Sequence, residues 1–282
     1  MPDPDVRTLP AQYVEQVRRT SEPSFVPSVA RPAATVVLLR DAIDGIEAYL
    51  LRRVPSMAFA PGMHVFPGGS VDPRDADAAL RWAGPPPAAW ESRLTADAAL
   101  VRALACAAVR ETFEESGVVL AGPSPQEVVA DTTAPDWEAD RAALLDRSLA
   151  FAELLGRRGL VLRADLLAPW THWITPEFEE RRYDTRFFVA SLPAGQRTRD
   201  VGGEADRAVW MRPAEAYDGF RTGALAMLPP TAVTLSELMS YATVADVLAA
   251  ATERHISPLL PRGILVNGQV VLLMPGDEGY EQ

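Results

Sequence analysis

The chain has 282 residues, 48% apolar and 23% charged, which fits one large or two modest globular domains that need no covalent staples. Cys106 is the only cysteine, which excludes a disulfide framework or a cysteine zinc site and fits a reducing compartment. Acidic residues outnumber basic ones 38 to 27 for a net charge of −11, and every cation is arginine. That balance argues against sequence-blind nucleic-acid binding, while arginine forks still suit a small phosphate-bearing substrate.

Residues 1–30, rich in Pro, Ser and charge, read as a loosely held arm. Ala33–Arg40 and Ile46–Arg53 read as two strands of a hairpin turning at Asp41–Gly45. Residues 61–69 form a Pro/Gly-dense loop, and 73–94 a polar insertion that suggests a lid or a dimer contact. A long helical pattern starts at Ala96, with Asp97 suiting the helix dipole, and stops at Gly117. A second helical pattern covers 136–158 and ends at Gly159. Strands follow at Leu160–Leu167, Arg186–Leu192 and Ala208–Met211, then helices at Pro213–Phe220 and Thr231–Ala251, the last broken near Tyr241–Thr243. Gly263–Val266 and Gln269–Met274 flank Asn267-Gly268, a strong hairpin signal. This order of elements implies an α/β sandwich. No apolar run reaches the ~18 residues of a membrane span, and the first residues carry no secretion signal.

The chemistry concentrates in Arg110-Glu111-Thr112-Phe113-Glu114-Glu115-Ser116-Gly117-Val118. Glu111, Glu114 and Glu115 stand at i, i+3 and i+4, on one face of a helix. Like charges so placed repel, and Arg110 offsets only part of that. A hard divalent cation would resolve the conflict, and Mg²⁺ bridges carboxylates to substrate phosphates. The plainer reading is a solvated acidic patch.

Together with Phe66-Pro67-Gly68-Gly69 upstream, this segment resembles the Nudix box. Asp75 stands where that family has its first Glu, and 34 residues instead of the usual seven separate it from Arg110. Thr112 replaces an apolar residue, and the second half of the box is otherwise intact. The long insert, the lead-in Phe59-Ala60-Pro61-Gly62-Met63-His64-Val65-Phe66 and the later Arg182-Tyr183-Asp184-Thr185-Arg186-Phe187-Phe188 are similar to the branch of the peroxisomal coenzyme A diphosphatases. Related enzymes place an arginine four residues before the loop glycine; Ala58 stands there, with Arg52 and Arg53 upstream. The final residues lack a Ser-Lys-Leu-type address, and the expected location is cytoplasmic.

The resemblance implies a single Nudix domain over 31–282: an α/β/α sandwich with a mixed central sheet, a core of about 31–220 and a helical and hairpin extension over 221–282. It implies Mg²⁺ or Mn²⁺ held by Glu111, Glu114, Glu115 and the Gly69 carbonyl, with Arg110 orienting a carboxylate. Substrate-binding candidates are Arg52, Phe66, Gly68, Gly69, Arg182 and Tyr183. The general base is a box glutamate or Glu204, with Glu177, Glu179 and Glu180 as alternatives. Asp75 is a weaker candidate, since the insertion after it could carry it out of reach. His64 is a substrate-contact candidate, Trp170 and Trp173 read as core or interface aromatics rather than adenine-stacking walls, and Cys106 as buried and inert.

The expected substrate is a small nucleoside diphosphate derivative, foremost coenzyme A or acyl-coenzyme A; alternatives are ADP-ribose, a dinucleotide or a nucleotide sugar. A non-catalytic nucleotide-binding module is a third reading, disfavoured because all three helix glutamates are present. A homodimer is expected by analogy, with no nucleic-acid or membrane partner.

Overall fold

The computed structural model describes residues 4–56, 60–199 and 205–281. The N-terminal stretch is not the loose arm expected. A 3₁₀ turn (Pro4–Arg7), β1 (Thr8–Leu9), a second turn (Ala11–Tyr13) and α1 (Val14–Arg19) bury Val6 and Val17, so apolar contact holds the segment down.

β2 (Arg31–Ala42) and β3 (Gly45–Arg53) form the expected antiparallel hairpin. β4 (His64–Val65) pairs β3, and β5 (Gly68–Ser70) pairs β2, so the Pro/Gly segment is partly strand. In the insertion, a 3₁₀ turn (Pro73–Ala76), β6 (Trp82–Ala83), another 3₁₀ turn (Pro87–Trp90) and α2 (Glu91–Leu94) follow. Leu80, Trp90 and Leu94 join the main core, and buried Arg186 donates to the carbonyls of Leu94 and Thr95. The insertion is therefore packed and tied to the sheet rather than free to act as a lid.

α3 (Ala98–Ser116) runs as its caps dictate: Asp97 accepts from the Leu100 N–H at 2.8 Å, and Gly117 ends it at φ 74°. Its middle, Ala103 to Val109, is buried, and the small side chains let it lie close on β2. β7 (Ala121–Gly122) leads to α4 (Pro135–Leu145) and α5 (Phe151–Arg157), two helices where the sequence pattern suggested one. Asp146 accepts from the Ser148 N–H and Arg147 takes φ 64°, a turn that sends Leu149 and Phe151 into the core.

β8 (Val161–Arg163) gives way to a 3₁₀ turn, and β9 (Ala168–Ile174) is a strand that local propensity did not reveal. β10 (Tyr183–Ser191), β11 (Ala205–Met211), α6 (Pro213–Arg221), α7 (Pro229–Leu238) and α8 (Val244–Glu253) follow near their expected positions. β12 (Pro258–Leu259) precedes the terminal hairpin of β13 (Arg262–Val266) and β14 (Gln269–Leu273), turned by Asn267 and Gly268 at φ 51° and 82°.

The large mixed sheet has the order β11-β3-β2-β10-β9-β12, with β2 and β10 parallel. Strand alternation sorts its side chains: Ala34, Val36 and Leu38 face the α3 core, whereas Val37 and Leu39 face the core shared with α6, α7 and α8. The result is an α/β/α sandwich. Two small sheets flank it, β6-β8-β7 and β1-β14-β13, the latter joining the two ends of the chain. No helix among the described residues is long and apolar enough to cross a membrane.

Candidate active site

β5 and α3 meet where glycine is required. A Cβ at Gly68 would strike the Ala34 carbonyl and Thr35, and one at Gly69 would collide with the Glu111 carboxylate. This approach lets the Gly68 N–H donate to Glu115 Oε2 at 2.8 Å. The insertion does not carry Asp75 away, because the extra chain leaves after the 3₁₀ turn that holds it. The Asp72 N–H donates to Asp75 at 2.8 Å, fixing a carboxylate that receives Arg110 Nε at 3.0 Å and Nη2 at 2.9 Å. Arg110 Nη1 also donates to Glu111 at 2.7 Å and to Glu114 at 3.3 Å, and Nη2 donates to the Ser70 carbonyl at 3.0 Å.

One guanidinium thus serves three largely buried carboxylates. Burial pushes the Glu111 carboxyl up to about 7; Arg110 opposes the rise, and Glu114 and Asp75 reinforce it. Burial also works against the Arg110 charge, but attraction to Glu111, Asp75 and Glu114 outweighs it and keeps the guanidinium protonated. Cys106 is buried as expected, its Sγ donating to Asp75 at 3.5 Å, and burial pushes the thiol well up.

Among the described residues no three acidic, histidine or cysteine side chains converge as a ready metal cage, because the acids gather on Arg110 instead. The donor chemistry nonetheless suits a hard divalent ion: carboxylate oxygens in excess of cationic charge, with one carboxyl already resisting ionisation because it is buried.

These residues open onto a cleft of about 960 Å³, at the large end of the ~300–1,000 Å³ range of small-molecule sites. Phe66, Gly68, Gly69, Arg110, Glu111, Glu114 and Tyr183 line it; Glu115 is drawn behind the glycine loop by its bond to Gly68. Two candidates are corrected. The Arg52 guanidinium turns to Asp206 on β11, with bonds of 2.7 and 2.9 Å, and Arg53 lines the cleft instead. Buried Arg182 donates to the carbonyls of Thr175 and Ser28, tying the incoming N-terminal segment to the β9–β10 connection. Of the base candidates, Glu179 lines the cleft, and burial with neighbouring Glu180 pushes its carboxyl up. Glu177 and Glu180 are exposed, and Glu204 lies outside the described residues, as does Ala58.

His64 is buried away from the cleft, and burial lowers its pKa. Trp170 is fully buried with Nε1 donating to Glu237, and Trp173 is buried in the same core while also lining the cleft.

A family model described as the NUDT19 Nudix domain matches residues 86–238, more than half of the chain. The chain belongs to that family. It is a Nudix hydrolase, an enzyme of pyrophosphate bonds. The chain is 28% identical to the acyl-coenzyme A diphosphatase NUDT19 of Homo sapiens, across 84% of this chain and 73% of the relative. The Gallus gallus protein of the same name is 26% identical over the same shares. A Nudix hydrolase from Alicyclobacillus acidocaldarius, solved by crystallography, is 29% identical with a TM-score of 0.66, covering 79% of this chain and 96% of that one.

The Nudix cleft also contains residues that motif reading passed over: Arg31, Arg53, Asp72, Arg74 and Arg147. Strand parity offered a signal for Arg53, which continues the face of Tyr49 and Leu51 toward α3. Arg147 had none, since its place depends on the turn between α4 and α5. The Asp72 carboxyl is pulled down to about 2, chiefly by its hydrogen bonds from Arg74, so it enters the cleft as a fixed anion.

Proposed function

We propose that this Nudix hydrolase splits the pyrophosphate of coenzyme A or an acyl derivative, releasing 3′,5′-ADP and phosphopantetheine or its acylated form. The observation that carries the reading is the Arg110 cluster, where buried carboxylates exceed cations at the glycine loop of a cleft, in a chain whose relatives are named acyl-coenzyme A diphosphatases. Glu111, Glu114, Glu115 and the Gly69 carbonyl would hold Mg²⁺ or Mn²⁺. Such an ion neutralises phosphate charge and lowers the pKa of bound water.

The chain's own groups have separable tasks. Asp75 grips Arg110 through both oxygens, and Arg110 sets the directions of Glu111 and Glu114. The Gly68 N–H fixes Glu115. Attack of water on one phosphorus forms a P–O bond, breaks the bridging P–O bond and leaves a proton to be taken up. A box glutamate, Glu204 or Glu179 takes it; Glu179 has the support of a place in the cleft and a raised pKa.

The test is turnover of a substrate panel with product identification, with and without chelator. We expect coenzyme A and acyl-coenzyme A to yield 3′,5′-ADP only when Mg²⁺ or Mn²⁺ is present. Faster cleavage of ADP-ribose, a dinucleotide or a nucleotide sugar would move the assignment to that substrate class.

A further inference from the structure

The charges of the cleft are segregated. Asp75, Glu111 and Glu114 gather on Arg110, and Asp72 is held by Arg74 through both oxygens at 3.0 Å. Glu179, the remaining carboxylate of the lining, lies beside Tyr13 and Glu180. Two cations of the lining, Arg31 and Arg147, have no side-chain hydrogen bond, ion pair or ring contact among the described residues. Acids are in surplus across the chain at a net charge of −11, yet these two guanidinium groups find none.

Strand geometry aims Arg31 at the cleft. It has the parity of Ala33 and Thr35 on β2 and pairs in parallel register with Tyr183 of β10, ahead of Thr185 and Phe187, and all of these line the cleft. Arg147 comes from the turn between α4 and α5, where its φ of 64° favours glycine, so a long cation there carries backbone strain. Two bonds hold that turn: the Ser148 N–H to Asp146 at 2.8 Å, and Arg74 Nη1 to the Arg147 carbonyl at 3.0 Å. Arg74 so joins the turn to the chain leaving β5, and the Val71 N–H joins that chain to the Pro32 carbonyl at 2.9 Å. The two free cations are thus linked through the Asp72–Arg74 pair. Gly69 of the box pairs Ala34, three residues along β2 from Arg31, or about 10 Å of strand.

We infer that Arg31 and Arg147 form a second anion subsite, which binds a phosphate monoester carried on the nucleotide apart from the pyrophosphate. A phosphate monoester offers three acceptor oxygens, enough to take a fork from each guanidinium. The offset from Gly69 keeps this subsite clear of a pyrophosphate seated on the box carboxylates and suits a phosphate on the adjoining ribose. The identification of that group as the 3′-phosphate rests on the coenzyme A reading above. ADP-ribose lacks it, so Arg31 and Arg147 are specificity residues that choose among substrates the box alone would accept.

The experiment is calorimetric binding of 3′,5′-ADP and, separately, of 5′-AMP to the full chain in Mg²⁺ buffer, for wild type, Arg31→Gln and Arg147→Gly. Arg197→Gln, at an exposed arginine outside the cleft, controls for the loss of one charge from the whole field. Wild type should bind 3′,5′-ADP at least about tenfold more tightly than 5′-AMP, and each cleft variant should lose about tenfold of that preference while the control keeps it. Glycine suits the conformation at 147, so Arg147→Gly should melt no lower than wild type and its loss of preference cannot be a folding defect. A wild type without the preference, a cleft variant that retains it, or a control that loses it would overturn the assignment. Loss of preference in the variants of a protein that leaves coenzyme A intact would sink the coenzyme A reading and keep the subsite; coenzyme A turnover with an unaltered fragment preference would do the reverse.

Discussion

The two walls of the cleft are held by opposite means. At the β5–α3 wall the charged groups are bonded to one another: Asp75, Glu111 and Glu114 converge on Arg110, and Glu115 on the Gly68 N–H. At the terminal-sheet wall Leu9, Tyr13, Phe178 and Leu272 form a mainly apolar surface, with Glu179 as the charged group beside Tyr13. Preorganised charge is useful where charge develops in a reaction, and it must be bonded internally to survive burial. The contrast separates a wall of preorganised charge, suited to chemistry on phosphate, from a mainly apolar wall suited to an uncharged group.

The sharpest way to break this division is Glu114→Gln. It keeps shape and removes one anion from the cluster, so turnover should fall about 10²–10³-fold, the size of losing one preorganised electrostatic contact. Metal-free stability should hold or rise, since the cluster carries more carboxylates than cations. Steady-state kinetics and a thermal melt decide it; wild-type turnover would place the chemistry elsewhere.

The next effect is a pH dependence confined to the charged wall. The Glu111 carboxyl, pushed up to about 7 by burial, holds its proton more tightly folded than unfolded. In chelator, its contribution is therefore full below the ordinary carboxylate pKa and is lost as pH rises to about 7, a cost on the order of 3 kcal/mol. Urea midpoints of wild type and Glu111→Gln at pH 5 and pH 8 measure it: the difference between the proteins should grow with pH, and Mn²⁺ should shrink it at pH 8. A gap independent of pH would mean that Glu111 is already neutralised inside the protein.

The charged wall was readable in the sequence because its geometry is local. Glu111, Glu114 and Glu115 share a helix face by spacing alone, and Asp97 and Gly117 mark that helix's ends. The hairpin of β2 and β3 and the Asn267-Gly268 turn are equally local. The apolar wall was not readable, since Leu9 and Val270 are neighbours only through a pairing across nearly the whole chain. Residues of low periodicity near a terminus resemble a loose arm until the strand that receives them is known. Asp75 was misjudged for a related reason: loop length says nothing about where the chain leaves a turn, and here it leaves after Asp75 is fixed.

Arg52 and Arg53 give the smallest effect and the finest discrimination, because adjacent residues of a strand point to opposite faces. Ile46, Ala48 and Leu50 face the core shared with α6–α8, whereas Tyr49 and Leu51 face α3. Arg53 continues the second series into the cleft, while Arg52 is spent on an exposed pair with Asp206. Arg53→Ala should lower kcat/KM for coenzyme A about tenfold, the scale of one charge-assisted contact to phosphate. Arg52→Ala should change it by less than about twofold, since exposed pairs contribute little. The reverse ranking would require β3 to be shifted by one residue, and a one-residue slip would turn Tyr49 and Leu51 away from α3 as well. The kinetic comparison of these two variants is therefore also a test of the strand register on which the charged wall stands.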